Sequence, residues 1–178
     1  MKPWKVGLFI CSILVIGGCK KTAVSPALTE QASSFIEIGS IDIGDVGAAE
    51  ITAYDPLSQR LFAVNNGVVN KIDVIDLSNP AQPKLLTSLP ISSYGGFANS
   101  VSVSNGRLAV AIEALIKQNA GKVVIFDTRE LVEIKAVTVG ALPDMVTFSP
   151  NGKWILTANE GEPSSDYQID PEIGRAHV

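Results

Sequence analysis

The stretch Tyr54–Asn66 (YDPLSQRLFAVNN) returns 94 residues later as Phe148–Glu160 (FSPNGKWILTANE) without a gap. In both copies a turn-forming segment is followed by an apolar run and two polar residues. A third copy lies midway, where Gly106 falls 48 residues after Ser58 and 46 residues before Gly152. The sequence therefore predicts a repeated unit of 46 to 48 residues, and repetition at such a period is typical of solenoids, propellers and related arrays.

A second landmark supports this unit. Lys71–Leu77 (KIDVIDL) returns as Lys122–Thr128 (KVVIFDT), and each copy is followed by another short apolar segment. Four strands in a unit of this size correspond to one blade of a β-propeller, and one blade buries its faces only by stacking on its neighbours. We therefore predict an all-β fold, a partial β-propeller of about two and a half to three four-stranded blades. A sandwich or another stacked β-array is the alternative.

Apolar and polar residues alternate with a period of two from residue 35 onward, which is typical of strands. The predicted strands are 35–43, 50–54, 60–64, 71–77, 84–89, 99–103, 107–112, 122–127, 132–139, 144–149 and 153–159. Asn105–Gly106 and Asn151–Gly152 tolerate the positive φ of tight turns between strands. The segment 113–118 is predicted to be a loop excursion. The strand 35–43 is predicted to complete the last blade of a longer ring.

The N-terminal residues have the three parts of a secretory signal. Lys2 and Lys5 provide the positive start, and the apolar run Val6–Ile16 is too short to span a bilayer. Ile16–Cys19 (IGGC) then resembles the bacterial lipobox, whose cysteine thiol receives a lipid. We predict that residues 1–18 are a lipoprotein signal peptide. An ordinary signal peptide or an uncleaved anchor is the alternative.

Lipidation of Cys19 would make a membrane the first partner of this protein. Residues 19–34 are rich in Ala, Ser and Thr and are predicted to form a flexible tether. Lys20 occupies the position at which an Asp would retain a lipoprotein in the inner membrane. The predicted location is the bacterial cell envelope, with the outer membrane as the anchoring site and either the periplasm or the cell surface as the exposed side.

Composition excludes several kinds of chemistry. Cys11 lies in the signal and Cys19 is the lipidation site, so no other cysteine is available for a disulfide, a metal or a nucleophile. The one histidine, His177, lies in the tail 172–178, which resembles a translated sequencing adapter and is predicted to be non-native; a native polar C-terminus is the alternative. A net charge of −4 without a basic cluster predicts no nucleic-acid partner.

Two stretches resemble known repeats. Ile75–Leu85 (IDLSNPAQPKL) is similar to the LVIVD-type repeat of extracellular propellers. Leu142–Pro163, continued by Asp166–Tyr167 and Asp170–Pro171, resembles the choice-of-anchor I family of secreted bacterial proteins. The resemblance implies that residues 35–171 are the N-terminal blades of a seven-bladed envelope propeller. Relatives carry labels that disagree about chemistry, including an atypical alkaline phosphatase, so the resemblance implies no particular reaction.

One loop gathers several carboxylates without a nearby Lys or Arg. The predicted metal ligands in it are Glu160, Glu162, Asp166 and Asp170, and the further predicted binding residues are Asn159 and Tyr167. Hard oxygen ligands suit Ca²⁺, although the spacing does not match an EF-hand. A solvated loop between two strands is the alternative interpretation.

Other residues are given structural or weaker roles. Asp73, Asp76 and Asp127 are predicted to accept turn hydrogen bonds or to face solvent, and Trp154 is predicted to lie in the core. The segment Tyr94–Phe97 is predicted to line the mouth of the ring.

The leading functional hypothesis is a non-catalytic envelope module that binds a protein, a glycan or a small molecule through loops around the ring axis. The alternative is an extracellular metal-dependent phosphoesterase that uses the acidic loop and further ligands outside this sequence. Whether the protein is an enzyme stays open, because propellers support both functions.

Overall fold

The computed structural model describes residues 35–44 and 46–171, and the backbone of residues 175–177. The described residues form three antiparallel sheets and no helix. The first sheet contains β1 (Ala48–Asp55), β2 (Arg60–Asn65), β3 (Lys71–Asp76) and β4 (Lys84–Pro90). The second contains β5 (Ala98–Ser104), β6 (Arg107–Ile112), β7 (Ala120–Asp127) and β8 (Glu133–Ala141). The third contains β9 (Pro143–Phe148), β10 (Ile155–Asn159) and β11 (Arg175–His177).

Within each sheet the strands pair in sequence order, as expected for blades that are meanders. The predicted turn at Asn105–Gly106 is confirmed: φ is 50° and 74° at these residues, and Ser104 pairs with Arg107 across the two-residue loop. Only Gly152 has positive φ, 66°, in the corresponding turn of the third sheet. There the Asn151 side chain accepts a hydrogen bond from the Lys153 amide at 3.0 Å.

The three sheets stack face to face, with the second sheet in the middle. One face of the second sheet packs on the first sheet in a cluster that includes Phe62, Val64, Ile72, Val74, Leu108, Val110, Ile112 and Val124. The opposite face packs on the third sheet through Ala109, Ala111, Val123 and Val146. Every residue of β6 after its first is therefore buried. Four-stranded meanders that stack face to face with their first strands adjacent are the arrangement of propeller blades, and the predicted all-β partial propeller is confirmed.

Two arginines at equivalent strand positions link neighbouring sheets. Arg60 of β2 donates hydrogen bonds to the carbonyl oxygens of Thr128 and Arg129 at 2.7 and 2.8 Å. Arg107 of β6 donates to the carbonyl of Gly152 at 2.7 Å. Both contacts join the second strand of one sheet to a turn of the next, so they fix the stacking at the edge of the apolar cores.

Two sequence predictions about the fold are wrong. Residues 35–43 form no strand; Ile38–Ile43 instead lie beside Ala63 and Ile75, on the face of the first sheet that points away from the second. A strand needs a hydrogen-bonded neighbour, and the blade that would provide one is absent from the described residues. Trp154, which was predicted to lie in the core, is 58 % exposed just before the start of β10.

The terminal segments leave some predictions open. The proposed signal, Cys19 and most of the tether lie outside the described residues. The backbone of Arg175–His177 pairs with β10, and the non-native origin of residues 172–178 stays a prediction. In the part of the chain that the structure describes, no helix is long and apolar enough to cross a membrane.

The turn between β1 and β2 is organised by a buried carboxylate. Asp55 is fully buried and accepts hydrogen bonds from the amides of Leu57 and Ser58, both at 3.2 Å, and from Ser58 Oγ at 2.7 Å. Burial opposes ionisation, but the hydrogen bonds outweigh it and lower the pKa of Asp55 below its usual value. The ionised side chain therefore stabilises the folded state above the unfolded pKa.

We predict that Leu108→Ala lowers the free energy of unfolding by about 2–5 kcal/mol, because Leu108 is completely buried between the first two sheets. Leu115→Ala is the matched control; its side chain is 83 % exposed, so the expected change is within about 0.5 kcal/mol. Urea unfolding followed by far-UV circular dichroism measures both. Equal effects of the two substitutions would contradict the stacked-blade core.

We predict that Asp55→Ala destabilises the protein by about 1–2 kcal/mol near pH 7. The difference from the wild type should shrink as the pH falls from about 4 through the lowered folded pKa, because the wild-type carboxylate then loses its charge. Urea midpoints measured between pH 7 and pH 2.5 test this. Asp170→Ala, at an exposed position without a hydrogen bond in the described residues, should show no such pH dependence. A constant difference across the pH range would contradict the stabilising role of the ionised Asp55 side chain.

Candidate binding site

The first strands of the three sheets lie next to one another. β1 contacts β5, and β5 contacts β9, so these strands form the inner side of the stack. In a propeller the inner strands surround the central channel, and their ends open at its mouth. A pocket of about 390 Å³ lies at the end where these three strands begin.

Carboxylates dominate this axial pocket. Its acidic lining residues are Glu50, Glu113, Asp144, Glu160 and Glu162. Lys117 is the one basic residue among those that line it. Asn66, Asn99 and Phe97 provide amide and aromatic surface. Three different sheets contribute to the lining, so the pocket exists only because the sheets are stacked.

One layer of the lining repeats along the chain. Asn66, Glu113 and Glu160 are spaced 47 residues apart, and each is the first residue after the second strand of its sheet. These residues end the three aligned sequence copies, so the signal was present in the repeat. Glu160 was predicted from its own loop, and the equivalent positions of Asn66 and Glu113 were not recognised.

A second layer comes from irregularities in the inner strands. In β9, Asn159 pairs with Pro143 and Ala158 pairs with Met145, so Asp144 is the extra residue of a β-bulge. Asn99 is skipped in the same way in β5, and Glu50 lies in the irregular part of β1. A bulge changes the direction of a side chain and is common beside functional sites. All three sheets therefore use a register shift where a polar residue lines the pocket.

Hydrogen bonds hold these residues across the sheet boundaries. Asn66 Nδ2 donates to the Ala98 carbonyl at 2.8 Å, and its Oδ1 accepts from the Ala98 amide at 3.1 Å. Asn66 Nδ2 also donates to Glu50 Oε2 at 3.1 Å. Asn99 Nδ2 donates to the Pro143 carbonyl at 3.3 Å and to Glu113 Oε2 at 3.4 Å. The two amides fix the lining before any ligand arrives.

Glu113 is the most buried acid of the pocket, with 5 % of its surface exposed. Its backbone accepts a hydrogen bond from the Gly96 amide at 2.8 Å and donates one to the Phe97 carbonyl at 3.0 Å. A Cβ at Gly95 would lie 2.2 Å from the Glu113 carbonyl oxygen, so only glycine permits this approach. The segment 94–97 was predicted to line the mouth of the ring; of its four residues, Phe97 alone is among those that line the pocket.

Tyr94 has a different role from Phe97. Its hydroxyl donates to Glu133 Oε2 at 2.6 Å, and its ring packs edge-on against Phe126 with the centroids 6.1 Å apart. The hydrogen bond to the Glu133 carboxylate, together with burial, raises the pKa of Tyr94 to about 12. This side chain therefore belongs to the core and not to the pocket.

Two of the four predicted metal ligands line the pocket, and the other two do not. Glu160 and Glu162 line the pocket, and Glu162 pairs with Lys117 at 3.5 Å. Asp166 instead accepts hydrogen bonds from Ser164 Oγ at 2.6 Å and the Gln168 amide at 3.2 Å, which lower its pKa. Asp170 is exposed and does not line the pocket.

The other predicted binding residues also lie outside the pocket lining. Asn159 is buried against Gly140, and the side chain of Tyr167 is 80 % exposed. Among the described residues, no group of three or more His, Cys, Asp or Glu is arranged to hold a metal ion. The Ca²⁺ site therefore stays a prediction without added support.

Two of the three aspartates make turn hydrogen bonds as predicted, whereas Asp73 is buried within β3. Asp76 accepts from the Ser78 amide at 2.8 Å, and Asp127 accepts from the amides of Arg129 and Glu130, both at 2.8 Å. These backbone hydrogen bonds lower the pKa of both carboxyls. Asp73 is buried and accepts from Asn65 Nδ2 at 2.7 Å, so it stabilises the first sheet.

Radially stacked antiparallel sheets with polar residues around the ends of their inner strands define a β-propeller module. The family model of the choice-of-anchor I domain matches residues 50–177, and the chain belongs to this family. Domains of this kind are associated with the bacterial cell surface or extracellular space.

Comparison with solved structures supports the fold. A chain of "Kuenenia stuttgartiensis Hydrazine Synthase", a β-propeller-containing protein, is similar with a TM-score of 0.51 and 18 % identity. The match covers 62 % of this chain and 30 % of that chain, so it spans less than a third of the hydrazine synthase chain. A search of curated proteins gives no significant match.

Proposed function

We propose that this protein is a lipid-anchored component of the bacterial envelope whose propeller binds a ligand in the axial pocket. The observation that carries the proposal is the register shift in all three inner strands, each beside a polar residue of the pocket. The shifts in the three inner strands all fall at the same end of the stack, where the pocket lies. Bulges at these positions support a surface adapted to bind.

The pocket lining is also held in place in advance. The Asn66 and Asn99 amides bridge neighbouring sheets, and the Glu113 main chain is tied to Gly96 and Phe97. Groups that are already ordered lose little conformational entropy when a ligand binds. This rigidity supports recognition of a specific ligand.

Anchoring through Cys19 agrees with the surface association of the family. The signal-like residues 1–18 would direct export, and the segment 19–34 would connect the lipid to the propeller. Lys20 favours the outer membrane over the inner membrane. The lipid would keep the pocket close to the membrane.

The phosphoesterase hypothesis has no specific observation in its favour. The four predicted ligands are divided between the pocket and the loop beyond it, and no described acidic group is arranged for a metal. The fold is compatible with either function. A binding role accounts for the pocket with the residues that this chain contains.

We predict that Cys19→Ala abolishes lipidation. Cells fed a palmitate analogue with a clickable tag should label the wild-type protein, and the variant should be unlabelled and released from the membrane fraction. Cys11→Ala is the matched control because it changes the other cysteine, within the signal. Equal labelling of the wild type and Cys19→Ala would contradict the proposed anchor.

We predict that small probes bind at the axial pocket. In ¹⁵N spectra of the full chain, a panel of cationic, anionic and neutral sugar-like compounds should shift amides such as Asn66, Glu113 and Glu160 more than other amides. Asp144→Asn should weaken the response of the cationic probes. Asp170→Asn, outside the pocket, is the control. Shifts confined to other surfaces, or no shifts with any probe, would overturn the proposed binding function.

A further inference from the structure

Three Asn–Gly sequences occur in the chain, at Asn66–Gly67, Asn105–Gly106 and Asn151–Gly152. Asparagine followed by glycine is prone to deamidation, because glycine has no side chain to hinder attack by its own backbone nitrogen. We propose that Asn105 is a site of spontaneous deamidation in the folded protein and that the structure protects the other two asparagines. The modified turn lies on the contact between the second and third sheets.

The reaction needs two groups to be free, the glycine N–H and the asparagine amide. The Gly106 nitrogen attacks Cγ of Asn105 and loses its proton, and the new N–Cγ bond closes a succinimide ring while the Cγ–Nδ2 bond breaks and ammonia leaves. Water then opens the ring at either carbonyl, which yields aspartate or isoaspartate. A hydrogen bond that holds either group opposes the first step, because it must break before the ring can close.

Both groups are held at Asn151. Its Oδ1 accepts hydrogen bonds from Ser149 Oγ at 2.8 Å and from the Lys153 amide at 3.0 Å. The Gly152 amide donates to the Ser149 carbonyl at 2.8 Å. Asn151 is exposed to solvent, so its protection comes from these hydrogen bonds and not from burial.

Both groups are also held at Asn66. Its side-chain amide makes the two hydrogen bonds to Ala98 and the one to Glu50 that were described for the axial pocket. The Gly67 amide donates to Asn65 Oδ1 at 3.1 Å. Ring closure at Asn66 would therefore break the hydrogen bonds that join the first sheet to the second.

Asn105 lacks both restraints. It lies in the two-residue turn between β5 and β6, and its side chain is exposed. Neither the Gly106 N–H nor the Asn105 side chain makes a hydrogen bond with any residue that the structure describes. Exposure is the same as at Asn151, so the difference between the two turns is the missing hydrogen bonds.

Deamidation at this turn changes a contact between sheets. The Asn105 amide lies against the backbone of Gly152, where a Cβ would collide with Nδ2. Gly152 is also the residue whose carbonyl accepts from Arg107. Isoaspartate adds a methylene group to the backbone of the turn, which disturbs the pairing of Ser104 with Arg107. We therefore expect the isoaspartate form to hold the second and third sheets together less firmly.

The test follows deamidation of the full chain at mildly alkaline pH by peptide mass spectrometry, with electron-transfer fragmentation to separate aspartate from isoaspartate. In the folded chain Asn105 should react at least about tenfold faster than Asn66 or Asn151, since each of those must first break several hydrogen bonds. In concentrated urea the three sites should react at similar rates. Ser149→Ala, which removes one hydrogen bond from Asn151, should raise the rate at Asn151 and leave the rate at Asn105 unchanged.

Equal rates at the three sites of the folded chain, or a faster reaction at Asn151, would overturn the inference. An Asn105 that reacts in urea but stays intact in the folded chain would overturn it as well. The comparison of the three sites in the wild type decides the question even if Ser149→Ala fails to fold. The isoaspartate fraction, separated by charge, should unfold at a lower urea concentration than fresh protein; an unchanged midpoint would refute the effect on sheet stacking.

Discussion

Burial of both faces of the second sheet is the constraint on which the rest of the structure depends. In β6 the larger side chains Leu108, Val110 and Ile112 face the first sheet, and Ala109 and Ala111 face the third. Alternation in a strand places these two sets on opposite faces. A sheet of this composition is stable only between two others, because either face alone would expose a continuous apolar surface to water. Stacking, and not strand pairing, therefore holds the three sheets together.

Stacking also creates the pocket. Because each sheet presents the same strand order, the beginnings of β1, β5 and β9 come together, and so do the residues that follow β2, β6 and β10. A regular ladder would keep side chains strictly alternating between the two faces of a blade. The register shifts at Glu50, Asn99 and Asp144 interrupt that alternation at the mouth and turn polar groups into the opening. The core can thus stay apolar while the end of the ring becomes acidic.

Much of the fold was predictable because every copy of a sequence repeat forms the same strands and turns. The 94-residue repeat and the Asn105–Gly106 turn can both be read directly from the sequence. The turn that they predicted is present in the structure. The errors at residues 35–43 and Trp154 concern surfaces whose environment depends on neighbouring blades. Burial there depends on residues distant in the sequence, which periodicity does not reveal.

The site was harder to predict than the fold for a related reason. Glu160 and Glu162 were found because they share a loop, whereas Glu50 and Asp144 occupy bulges that have no distinct sequence pattern. Glu113 is informative only when it is compared with Asn66 and Glu160 at the same position of other blades. At that position the first blade uses an amide that bridges two sheets, and the other two use carboxylates.

This difference between blades bears on function. A residue that served only to fix the stacking would have the same chemistry in every blade, since every boundary between blades has the same geometry. Asn66 makes the two hydrogen bonds to Ala98 that such a role requires, and a carboxylate would not donate one of them. At the corresponding boundary the Asn99 amide donates to the Pro143 carbonyl and to Glu113 Oε2. The carboxylates of Glu113 and Glu160 therefore add negative charge to the pocket lining, whereas the amide of Asn66 joins two sheets.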